Sequence, residues 1–278
     1  MSEIDDHDDS RLARRRLLGF MFGIFPVSAM LKACANARTK EAADEMAGDE
    51  QDKASAKAAR EGRLTARPSH VKETAHVGLS PLGLDKKRDG FLYVPAQYQS
   101  NRPAPLVVML HGAGGNAQGA LRHLRSLADS DGFILLAPES RRATWDIILD
   151  SYGEDVTFIN RALKQTFALC AVDTKRLAIG GFSDGATYAL SLGLTNGDLF
   201  THIIAFSPGF ASPASRHGKP RIFMSHGTRD EVLPINRTSR DILPRLRQAG
   251  YDVRYREFDG THTVPTDIAR EAVDWFKE

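Results

Sequence analysis

From about residue 70 to the C-terminus, short apolar runs bounded by Gly, Pro and Asp alternate with stretches of helical periodicity. That alternation constrains the fold more than any other feature. A strand covered on both faces reads as an unbroken apolar run. A helix between two such runs carries the chain back to start the next strand in the same direction, so repetition builds a mostly parallel sheet with helices on both faces. The spacing predicts strands over Phe91–Val94, Leu106–Leu110, Phe133–Ala137, Leu177–Phe182, Ile203–Phe206, Ile222–Ser225 and Val253–Phe258. Val156, Ile159, Leu163 and Phe167 recur at helical spacing, and Pro265 to Lys277 predicts a final amphipathic helix. The fold class is α/β, with one domain over residues 70–278 and no internal repeat. In such sheets ligands bind beyond the carboxyl ends of the strands, so the loops there are where chemistry is read.

The segment ahead of this domain reads differently. Arg11, Arg14, Arg15 and Arg16 precede an uncharged run from Leu17 to Leu31, after which come the small residues Ala33, Ala35 and Ala37. A bilayer core needs about 20 apolar residues at helical rise, so the run is short for a span. A basic region, a short apolar region and small residues have the layout of a cleavable bacterial export signal over residues 1–37. Ala13-Arg14-Arg15-Arg16-Leu17-Leu18 also resembles the twin-arginine export motif. Leu31-Lys32-Ala33-Cys34 resembles a lipobox, which implies lipidation of Cys34 and a membrane tether; cleavage after Ala37 is the rival outcome. The expected location is the periplasm, the cell envelope or the medium. Residues 38–69, rich in Ala, Glu, Asp, Lys and Arg, carry few bulky apolar side chains and read as a flexible tether.

Composition removes other classes. The 278 residues carry a net charge of +2, which lays down no electrostatic footprint for nucleic acid. Two cysteines, Cys34 and Cys170, make neither a disulfide framework nor a zinc ribbon. The search is therefore for a compact site of ordinary side chains.

The strand Leu177–Phe182 runs into Gly181-Phe182-Ser183-Asp184-Gly185, and Ala186 to Leu190 makes a good helical start. Gly-x-Ser-x-Gly between a strand and a helix is the setting of a nucleophile elbow, in which the serine sits on a strained turn and the glycines let strand and helix pass closely. A hydroxyl needs a base, and the base needs an orienting carboxylate. Of nine histidines, His111, His226 and His262 lie at strand ends or loops on the expected edge. His262, in the loop Asp259–Pro265 between the last strand and the last helix, can swing over the elbow without distorting a strand. Asp230 follows the preceding strand and is the matching carboxylate; Glu257 and Asp259 lie too near His262 in sequence to approach from a neighbouring loop.

An elbow serine works with an oxyanion hole made by the N–H of the next residue, here Asp184, and one from the loop after an early strand. That loop is His111-Gly112-Ala113-Gly114-Gly115, with Ala113 as the second donor, Gly112 as the fallback and His111 as a brace. The loop Pro138 to Trp145 supplies one wall, where Trp145 either contacts substrate or packs in the core. Ser207 to Pro220 is too short to carry a large lid.

These four segments, with Val232 and Pro234 after Asp230, resemble the phospholipase/carboxylesterase family of α/β hydrolases, over roughly residues 88 to 278. Asp184 stands where that family often has Gln. The resemblance implies the α/β-hydrolase fold and a serine esterase needing no cofactor or metal, close to secreted polyhydroxybutyrate depolymerase-like and feruloyl esterase-like enzymes. It predicts hydrolysis of a small or exposed ester through an acyl-enzyme on Ser183. The alternatives are a non-catalytic envelope-binding module on the same fold, and a serine peptidase.

Overall fold

The computed structural model describes residues 53–71 and 74–278, which belong to one compact unit. The expected export signal, Cys34 and the first part of the tether lie outside the described residues. Among the described residues no helix is long and apolar enough to cross a membrane.

Among the described residues eight strands form one sheet. In spatial order they are β1 (Gly78–Pro81), β2 (Gly90–Val94), β4 (Ile134–Pro138), β3 (Ala104–Leu110), β5 (Val172–Phe182), β6 (His202–Phe206), β7 (Arg221–Gly227) and β8 (Val253–Phe258). The pairs β1/β2 and β2/β4 are antiparallel, and every pairing from β4 to β8 is parallel. The seven predicted strands are all present. β1 went unread because it is a four-residue edge strand, half exposed and ending in Pro81, where no apolar run marks it.

Along β3 the side chains alternate between two cores. Leu106, Val108 and Leu110 join one, Val107 and Met109 the other, and all are fully buried. The first core is completed by α5 (Glu154–Leu169), α6 (Asp184–Thr195) and α7 (Ser239–Gln248), with the short α4 (Asp146–Leu149) beside it. The second is completed by α2 (Ala117–Leu121), α3 (Arg125–Asp131) and α8 (Thr266–Lys277). β6 and β7 are joined by residues 207–220 without a helix, so no large lid is inserted there.

The tether reading fails over its last third. Residues 53–60 form helix α1, and Ala59, Leu64 and Ala66 are buried in the first core. Two asparagines of the domain hold this strap by its backbone. Asn196 Oδ1 accepts from the Leu64 N–H and its amide donates to the Gly62 carbonyl, while Asn160 Oδ1 accepts from the N–H groups of Thr65 and Ala66. Arg63 and Arg67 both pair with Asp198. Composition counts bulky side chains and cannot see that buried amides will satisfy the backbone of a polar stretch.

Candidate active site

β5 ends at the elbow. Ser183 has φ 58° and ψ −122°, a left-handed conformation that non-glycine residues rarely adopt. The flanking glycines are required by contact: a Cβ on Gly181 would lie 2.3 Å from the Gly185 carbonyl, and one on Gly185 would lie 2.4 Å from the Leu110 carbonyl oxygen. The turn is pinned because the Ser183 N–H donates to the Phe206 carbonyl at 2.9 Å, and the Ala186 and Thr187 N–H groups donate to the Ser183 carbonyl.

The other two predicted side chains meet it. Ser183 Oγ is 2.9 Å from His262 Nε2, and His262 Nδ1 is 2.6 Å from Asp230 Oδ2. With Asp230 ionised, Nδ1 carries the ring proton and donates to the carboxylate, leaving Nε2 to accept from the serine hydroxyl. Burial raises the Asp230 carboxyl, but the Leu233 N–H at 2.8 Å and the His262 ring outweigh it and hold the group below the usual carboxylate range. The two loops are laced together, since the N–H groups of Thr228 and Arg229 donate to the Phe258 and Gly260 carbonyls at 2.9 Å. The competing carboxylates stand elsewhere, Asp259 on Arg229 and Glu257 on Arg240.

The glycine loop after β3 lies against the serine, where a Cβ on Gly112 would be 3.3 Å from Ser183 Cβ. His111 is buried, and its Nδ1 faces the Gly112 carbonyl at 2.8 Å. A carbonyl can only accept, so the proton is on Nδ1; Nε2 is bare and accepts the Ser140 N–H at 3.1 Å. The Gly115 N–H donates to the same Gly112 carbonyl at 3.0 Å. A trans peptide directs its N–H opposite to its C=O, so folding this carbonyl back onto the loop turns the Ala113 N–H outward. Among the described residues no acceptor is bonded to the N–H of Ala113 or of Asp184.

Trp145 is fully buried and does not reach substrate. Its ring stacks on Tyr188, with centroids 5.0 Å apart, and its Nε1–H donates to the His111 carbonyl at 2.8 Å. The indole braces the glycine loop from behind, because the hydrogen bond its N–H requires is found inside the core. Two contacts went unread in the sequence. The Thr144 hydroxyl donates to Asp184 Oδ2 at 2.6 Å, and Phe182 packs its ring on His262 with centroids 4.7 Å apart. Phe182, His123, His111, Gly112, Ala113 and Gly119 line an open groove of ≈ 320 Å³ beside the serine. A larger depression of ≈ 400 Å³ lies over Leu79, Asn116 and Arg125 and does not border Ser183. Cys170 is buried at the end of α5, where burial pushes its thiol up to about 12.

Sheet order, elbow and the loops carrying Asp230 and His262 are those of the α/β-hydrolase fold. The family model described as Phospholipase/Carboxylesterase matches residues 136–268. A bifunctional acetylxylan esterase/xylanase of Neocallimastix patriciarum is 32% identical over 155 residues, which are 52% of this chain and 22% of that protein. A probable feruloyl esterase C of Aspergillus clavatus is 31% identical over 158 residues, 54% of this chain and 57% of that protein. The chain thus spans well under two thirds of these relatives. Among solved structures, an S-formylglutathione hydrolase of Staphylococcus aureus superposes with TM-score 0.60 at 13% identity, over 73% of this chain and 100% of that one. A ferulic acid esterase of Anaeromyces mucronatus superposes with TM-score 0.53 at 16% identity, over 73% of this chain and 90% of that one.

Proposed function

We propose that this protein is an exported serine carboxylesterase in which Ser183, His262 and Asp230 act as a triad. The single observation carrying the reading is the unbroken line Ser183 Oγ, His262 Nε2, His262 Nδ1, Asp230 Oδ2, at 2.9 and 2.6 Å, on a serine held in left-handed backbone. Ser183 Oγ attacks the ester carbonyl carbon while its proton passes to His262 Nε2. The negative charge that builds on the carbonyl oxygen is met by the N–H groups of Ala113 and Asp184, and Asp230 steadies the imidazolium. As the tetrahedral species collapses, His262 returns the proton to the departing alkoxide and leaves Ser183 acylated. Water then gives a proton to His262 and attacks the acyl carbon. The acid leaves, and Ser183 Oγ recovers its proton.

The matched relatives are named for feruloyl and acetylxylan esters, and the open groove beside Ser183, with Phe182 and His123 in its wall, suits an aryl ester exposed to solvent. Export rests on the layout of residues 1–37. Ser183→Ala should reduce turnover of p-nitrophenyl acetate and methyl ferulate by at least about 10⁴-fold and abolish fluorophosphonate labelling, with an unchanged melting temperature. Wild-type protein that neither turns over any ester nor takes up the probe would identify a binding module. Feruloyl, acetylated-xylan and hydroxybutyrate substrates, run side by side, rank the acyl preference.

A further inference from the structure

We infer that His226 is a positioning residue of this site, holding the Asp230 carboxylate in line with His262 and sharing its charge; the inference rests on the esterase reading above. The His226 ring is fully buried. Its Nε2 faces the Leu233 carbonyl at 2.8 Å and Asp230 Oδ2 at 3.1 Å, two acceptors, so the ring proton sits on Nε2 and is divided between them. Nδ1 is then bare and accepts the Ser239 hydroxyl at 2.7 Å. Oδ2 of Asp230 is therefore where two imidazoles meet, since His262 Nδ1–H donates to the same oxygen at 2.6 Å. The second oxygen, Oδ1, accepts from the N–H groups of Val232 and Leu233 at 3.0 and 2.8 Å. With donors on both oxygens, the carboxylate has no free rotation.

The consequence is electrostatic as well as steric. A donor on Oδ2 draws charge away from the oxygen that steadies His262, so its removal leaves that oxygen a stronger partner for an imidazolium. The site without His226 then stays protonated, and inactive, to higher pH. The charged and titratable groups facing His226 are few. Asp230 and His262 lie on its Nε2 side, while Glu257, its register partner on β8, is occupied by Arg240 and Tyr255. Ser239, at the start of α7, closes the other side.

The test compares His226→Met, which removes the donor, with His226→Gln, whose amide N–H can stand at the Nε2 position. For His226→Met, the acid limb of kcat/KM against pH should move up by about half a pH unit or more, with the plateau about tenfold lower. His226→Gln should return the limb to its wild-type place. A limb that stays put in His226→Met, with amplitude alone reduced, would mean mere packing and overturn the proposal. Two readouts need no turnover. In wild-type protein the ¹⁵N–¹H correlations of His226 should show the Nε2–H tautomer, and an Nδ1–H ring overturns the assignment even if neither variant folds. In Ser183→Ala protein the downfield proton of the His262–Asp230 hydrogen bond should shift further downfield on adding His226→Met, and an unmoved or upfield-shifted resonance counts against the idea. Wild-type protein without esterase activity sinks the esterase reading and leaves these magnetic-resonance tests standing.

Discussion

Two strands of this sheet carry the same dipeptide at their carboxyl ends, one just past its last residue and one within it, and the two ends do opposite work. β3 finishes on Leu110 and passes into His111-Gly112; β7 finishes on His226-Gly227. Both rings are buried, and in both burial pulls the imidazole below its ordinary value, so each is a neutral ring with one donor and one acceptor. At β3 the proton sits on Nδ1 and grips the backbone, folding the Gly112 carbonyl back and turning the Ala113 N–H out. At β7 the proton sits on Nε2 and is divided between the Leu233 carbonyl and a side chain, Asp230. In the proposed mechanism one end prepares a donor for developing negative charge, and the other prepares the acceptor that steadies positive charge. The tautomer follows from which neighbour is an acceptor, not from the dipeptide.

The glycines differ as well. A Cβ on Gly227 would lie 2.4 Å from the Gly260 carbonyl oxygen and 2.5 Å from that of Thr261, backbone that leads directly into His262. On Gly112 it would meet Ser183 Cβ at 3.3 Å and the Phe182 carbonyl oxygen at 3.4 Å, contacts that a shift of a few tenths of an ångström relieves. Gly227→Ala should therefore displace the His262 loop and cost about 100-fold in kcat/KM, with a melting temperature several degrees lower. Gly112→Ala should cost about tenfold or less. Steady-state kinetics and thermal melts of the two variants decide it, and equal damage at both positions would erase the distinction.

His111→Leu comes next in size. It removes one of the two donors on the Gly112 carbonyl and the acceptor for the Ser140 N–H, while the Gly115 N–H stays in place. Complete loss of an oxyanion donor costs about 10²- to 10³-fold, so a loosened one should cost about 10- to 30-fold in kcat with KM little changed. Its acid limb should stay at the wild-type pH, whereas that of His226→Met should not. A shifted limb in His111→Leu would mean that the two strand ends are electrostatically equivalent.

Much of this is legible in the sequence alone. Seven strands announced themselves as apolar runs, and Ser183, Asp230 and His262 each sit in a local pattern whose reach across the sheet follows from parallel topology. The unread parts depend on direction in space. Trp145 could face solvent or core, and its burial under Tyr188 follows from a hydrogen bond to His111 that spacing does not encode. The strap over residues 59–67 looks solvated because its partners, Asn160 and Asn196, are about a hundred residues away. His226 was visible as a histidine at a strand end, but its hold on Asp230 across the intervening turn appears only with side-chain geometry.

A third buried histidine separates what burial does from what the site does. His202 opens β6, remote in the fold from the elbow, with its ring edge-on to Trp275 and Phe276. Burial lowers it to about 4, and the Arg221 guanidinium adds to the effect. In the unfolded chain the same ring takes a proton near pH 6.5. Between those values the unfolded state binds more protons, so the stability held by the neutral ring is complete above about pH 6.5 and is lost as pH falls toward 4. Asp230 works in a lower window: its carboxyl is held down, so its contribution is present above about pH 3.9 and disappears as pH falls through its lowered value. His202→Phe should remove about 2 kcal/mol of the stability lost between pH 7 and 5, while leaving esterase rates at neutral pH unchanged. Thermal melts across that range are the check. If the variant keeps the wild-type slope, the acid loss belongs to the His-Gly strand ends, and His111→Leu and His226→Met are the variants that must flatten it.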